Sequence, residues 1–78
     1  SGDPITIHVA PKGHQFAVQV HHWTPAGKHT SEGPERVYEA LGTAMAAAEE
    51  SQRRRHAAHG QGRSVTITLD PALETAAP

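Results

Sequence analysis

Three short stretches of period-two alternation bracket one long helical stretch, and this order of periods limits the fold more than any other feature. Ile5, Ile7 and Val9 alternate with Thr6, His8 and Ala10. Phe16, Val18 and Val20 alternate with Ala17, Gln19 and His21. Near the end, Val65, Ile67 and Leu69 alternate with Thr66 and Thr68. Period two with β-branched residues predicts three strands. Pro11-Lys12-Gly13-His14 punctuates the first two, so they form an antiparallel hairpin.

Residues 24–33 are rich in Pro, Gly, Thr, Ser and Lys and are expected to form an exposed loop. Pro34 suits a first helical turn, where its missing N–H costs nothing, and Glu35 suits the helix dipole. The pattern over residues 35–59 is helical, with Val37, Leu41, Ala44, Met45 and Ala48 on one stripe. Glu49–Arg53 and Glu50–Arg54 have the spacing of supporting ion pairs. Gly60 and Gly62 end the helix. Gly42 costs the helix about 1 kcal/mol relative to Ala, which predicts a close approach of another element there. Asp70-Pro71 stops the last strand.

The expected fold is therefore α+β, with element order β-β-α-β. A three-stranded antiparallel sheet of spatial order 2-1-3 carries one long helix on one face. The domain spans residues 5–69. Residues 1–4 form a flexible start, with Ser1-Gly2 read as an added remnant, and residues 70–78 form a frayed tail. The expected core is Ile5, Ile7, Val9, Phe16, Val18, Val20, Val37, Leu41, Met45, Ala48, Val65, Ile67 and Leu69.

At 78 residues the core is small, and there is no cysteine to staple it. Stability must come from compact packing or from self-association. Absence of cysteine fits a reducing, cytoplasmic setting. No apolar run approaches the length of a membrane span. Seven Lys and Arg balance eight Asp and Glu, which argues against a dedicated electrostatic binder of nucleic acid.

A single helix covers only one sheet face. The other face would show Thr6, His8, Ala17, Gln19, His21, Thr66 and Thr68. Such faces are commonly solvated. These residues, however, are small and uncharged, which also suits a contact surface. Ala40, Ala44, Ala47 and Ser51 make a small-residue helix flank that would admit a second helix. Both surfaces point to a homodimer or to another protein partner. Trp23 either lids the core or anchors a partner, and Tyr38 is expected to cap the sheet edge.

Arg53, Arg54 and Arg55 suggest phosphate contacts, but consecutive helical residues splay around the axis. A nucleic-acid reading needs Arg55, His56, His59, Arg63 and Lys12 or Lys28 to converge. His8 with His21, and His56 with His59, are weak metal candidates, because zinc asks for three or four ligands. No metal or other cofactor is expected. There is no glycine-rich phosphate loop, nucleophile elbow or usefully spaced carboxylate pair, so the chain is not expected to be an enzyme.

The run Ile5-Thr-Ile-His-Val-Ala-Pro-Lys-Gly, then Phe16-Ala-Val-Gln-Val, then an Ala-rich helix, resembles the small bacterial DUF2188-like domains. It covers about two thirds of the chain. Phe16 stands where those domains commonly carry Trp, the loop before the helix is longer, and a C-terminal strand is added. The resemblance implies the fold and a bacterial setting, and carries no activity.

Overall fold

The computed structural model describes residues 3–24, 26–27 and 29–75. Strands β1 (Ile5–Lys12) and β2 (Gln15–Trp23) form the antiparallel hairpin. Lys12 pairs with Gln15, leaving a two-residue turn. Gly13 takes φ 65° and His14 has no positive φ, which is the II′ pattern that matches strand twist.

The segment after Trp23 departs from expectation. β3 (His29–Ser31) pairs with the far end of β2, and β4 (Arg36–Tyr38) pairs with its near end, both antiparallel. They are two halves of one interrupted edge strand. Between the paired halves, residues 32–35 face only Gln19 and Val20. Gly33, at φ 151°, absorbs the extra length. The Gln19 amide donates to Ser31 Oγ and, at 2.7 Å, to the Gly33 carbonyl, replacing ladder bonds lost at the bulge.

Helix α1 runs Leu41–His59, so it starts six residues later than the periodicity predicted. Pro34 and Glu35 belong to the bulge, and Val37 and Tyr38 belong to β4. Arg36-Val37-Tyr38 is a β-branched and aromatic run, and the unpaired edge of β2 outcompetes helix propensity there. Gly60, at φ 65°, closes the helix and donates to the His56 carbonyl. A short 3-10 turn, Gly60–Gly62, leads to β5 (Val65–Leu69). Gly42 lies in the first helical turn with open space where a Cβ would sit, so no close approach explains it.

β5 pairs with β1 and is parallel to it. The sheet therefore has five strands, with order β3-β2-β1-β5 and β4 beside β3 on the edge of β2. The expected three-stranded, all-antiparallel sheet of order 2-1-3 is corrected in two ways: two further strands lie on the edge of β2, and the last strand runs parallel to β1. The cause is parity: the unforeseen edge strand reverses the chain once more, so α1 returns it to lie beside β1 in the same direction.

α1 covers one face. Ile5, Ile7, Val9, Val18 and Val65 pack against Ala44 and Ala48, and Ser51 continues the stripe. The helix contributes small side chains, so the backbones approach closely and the sheet supplies the bulk. Burying each of Ile5, Ile7 and Val9 is worth about 2 kcal/mol. Phe16, Val20, Met45 and Ile67 are partly buried against this cluster, and Tyr38 joins them from β4. Val37, Leu41 and Leu69, expected in the core, are exposed. Val37 pairs with Ala17 and so lies on the face away from the helix. Leu41 begins the helix, and Leu69 sits on the outer strand.

Residues 70–75, expected to fray, are structured. Asp70 N–H donates to the Val9 carbonyl, α2 (Ala72–Thr75) forms one turn, and Leu73 packs on the core. Ser1, Gly2 and residues 76–78 lie outside the described residues, as does Lys28. Among the described residues no helix is long and apolar enough to cross a membrane.

Candidate functional site: the uncovered sheet face

Register places the expected face residues together. Thr6 lies opposite His21 and beside Thr66; His8 lies opposite Gln19 and beside Thr68; Ala10 faces Ala17. Trp23 continues this face along β2. Thr6, His8, His21, Trp23 and Thr68 line one shallow, open concavity. Trp23, 43% exposed, and Val37, 39% exposed, are the large apolar side chains on this face. Trp23 is thus not the lid of the core.

His8 and His21 share the face, as expected, but the partner of His8 is Asp70. Nε2 lies 3.2 Å from Asp70 Oδ2. Asp70 Oδ1 accepts from the Ala72 N–H at 2.9 Å. The Ala72 amide first, and His8 second, hold the Asp70 carboxyl below its ordinary value of 3.8. This pair was not foreseen, because only a parallel β5 brings residue 70 beside residue 8. Among the described residues no group of three or more His, Asp or Glu is placed to hold a metal ion. His56 and His59 are exposed at the helix end, with His59 Nε2 3.5 Å from Arg63 Nη1.

The helix flank differs from expectation. Ala44 is fully buried and Ser51 is 8% exposed, so both belong to the core. Ala47 is half-buried, and Ala40 precedes the helix as its N-cap.

The arginines contact carboxylates. Arg53 and Arg54 both reach Glu50, Arg54 at 3.8 Å. Glu49 has no such contact among the described residues. Arg55 donates to Ser51 Oγ at 3.1 Å and approaches Glu32 at 3.9 Å. Arg63 lies 3.5 Å from Glu32 and donates through Nε to the Asp3 carbonyl at 2.6 Å. His22 Nδ1 is 2.9 Å from Glu32. His22 points to the helix side, opposite to His21, as strand alternation requires. Sequence reasoning missed Glu32, since it lay in an expected loop.

No family model, curated protein or solved structure matches the chain.

Proposed function

We propose that this chain is a non-enzymatic protein-interaction module that self-associates through its sheet. The observation that carries this reading is the uncovered face: its seven expected residues include no Lys, Arg, Asp or Glu, the Asp70 carboxylate that reaches them is taken by His8 and the Ala72 amide, and exposed Trp23 and Val37 flank them. Trp is enriched where interfaces concentrate their binding energy. A small core without disulfides gains stability from a second copy by mass action. Engagement of Arg53, Arg54, Arg55 and Arg63 with Glu50 and Glu32 favours a protein partner over nucleic acid, whose phosphates would have to compete with those carboxylates. The shallow concavity also favours binding over catalysis. The test is mass by light scattering after size exclusion, across a concentration series. A mass rising above the 8.3 kDa monomer is expected. A strict monomer at high micromolar concentration would sink self-association.

A further inference from the structure

On the helix side of the sheet, a trough with a volume of about 520 Å³ lies between α1 and the bulged edge. This is within the range of ~300–1,000 Å³ usual for small-ligand sites. Val18 and Val20 of β2 form its floor, and Val20 is only partly buried there. α1 supplies Arg54 and Arg55 on one wall, and β4 supplies Arg36 and Tyr38 on the other. Arg36 pairs with Val18 and Tyr38 with Phe16, and cross-strand partners share a face, so both side chains stand on the helix side. Trp23 and the face proposed for self-association lie on the opposite side.

Three guanidiniums thus line one cavity of a chain whose net charge is −1. Glu32 and Glu50 line it too, but both are shared. Glu50 meets Arg53 and Arg54, and Glu32 meets His22, Arg55 and Arg63. Glu35, adjoining Arg36, is taken by Lys12. Around the trough Arg36, Arg53, Arg54, Arg55 and Arg63 therefore outnumber Glu32 and Glu50 by five to two.

The donors are also under-filled. The Arg36 guanidinium has no hydrogen bond or ion pair among the described residues. A guanidinium carries five N–H donors. Arg55 uses one, from Nη1 to Ser51 Oγ at 3.1 Å. Its approach to Glu32, at 3.9 Å, is too long for a hydrogen bond, and its buried Nε has no acceptor. Arg55 is still 24% exposed, so its guanidinium is reached from the trough. Arg54 comes no nearer to Glu50 than 3.8 Å. Spare charge-assisted donors beside an apolar floor suit an organic anion.

We propose that this trough binds a small organic phosphate monoester. The phosphate meets Arg36, Arg54 and the exposed edge of Arg55, and the organic body lies over Val18, Val20 and Tyr38. No carboxylate has to leave, because Arg36 has none and the glutamates leave N–H groups of Arg54 and Arg55 unfilled. A phosphate monoester, with close to two negative charges, offsets this local excess better than a carboxylate does.

The test titrates the full chain with phenyl phosphate at fixed ionic strength, by calorimetry and by the NMR signals of the arginine Nε–H groups. Saturable binding is expected, with shifts at Arg36, Arg54 and Arg55. Arg36→Gln removes an exposed, unpaired side chain, so the fold is expected to stand, which circular dichroism checks. Affinity is expected to fall roughly tenfold in this variant. Arg53→Gln, which meets Glu50 but does not line the trough, should change affinity by less than about threefold. Inorganic phosphate is expected to bind more weakly than the ester, because it leaves Val18, Val20 and Tyr38 uncovered. Failure of phenyl phosphate to saturate, or equal losses in the two variants, would overturn the site. Equal affinity for inorganic phosphate would overturn its assignment to an organic ester.

Discussion

Asp70 joins the end of β5 to β1. Its backbone N–H meets Val9, one carboxylate oxygen meets the Ala72 amide, and the other meets His8. Its carboxyl is held below the ordinary value of 3.8, by the Ala72 amide first and His8 second. A carboxyl with a depressed native pKa adds stability that is fully present above its unfolded value. That stability is lost as pH falls through the native value. Asp70→Asn removes the charge at every pH. Thermal melts of the two chains should therefore differ at neutral pH and converge as pH falls below the ordinary carboxyl range. An unchanged gap across that range would show that the charge of Asp70 does not contribute.

At the scale of elements, α1 depends on small side chains. Ala44 and Ala48 are fully buried, and the face is completed by Ser51, whose hydroxyl accepts from Arg55. The helix is held by the sheet pressed against its alanines, not by large apolar residues of its own. Ala48→Leu must push helix and sheet apart, and should cost about 1–3 kcal/mol in urea unfolding. Ala46→Leu, on the exposed side, should change stability by no more than about 0.5 kcal/mol. Equal effects would mean that the close approach is not limiting. The edge strand works by the same logic: three residues of β4 hold only because β2 offers them a ladder.

For the whole molecule, one carboxylate ties separate parts of the chain. Glu32, on the bulge, meets His22 at the end of β2, Arg55 on α1, and Arg63 before β5; Arg63 in turn holds the Asp3 carbonyl. These side chains are only about a fifth exposed, at 22% for His22, 24% for Arg55, 17% for Arg63 and 23% for Glu32. Removing the shared carboxylate leaves Arg55 and Arg63 without their counter-charge in a partly buried cluster. Glu32→Ala should cost about 1–3 kcal/mol by urea unfolding, against about 0.5 kcal/mol or less for exposed Glu49→Ala. Equal costs would show that the cluster is replaceable by water.

Period-two alternation is a local property, so the sequence alone determined the hairpin, the last strand, and the face on which Thr6, His8, Gln19, His21, Thr66 and Thr68 lie. Gly60 likewise marked the helix end, because its left-handed conformation needs no distant partner. The start of the helix was not legible: Arg36-Val37-Tyr38 fits either period, and only the vacant edge of β2 chose extension. From that choice the chain gained one reversal, and the direction of β5 turned from antiparallel to parallel. The pairing of His8 with Asp70 and the gathering of His22, Arg55 and Arg63 on Glu32 followed. These partners lie far apart in sequence, and no local period records them; the strand parity that brings them together exists only once the sheet is assembled.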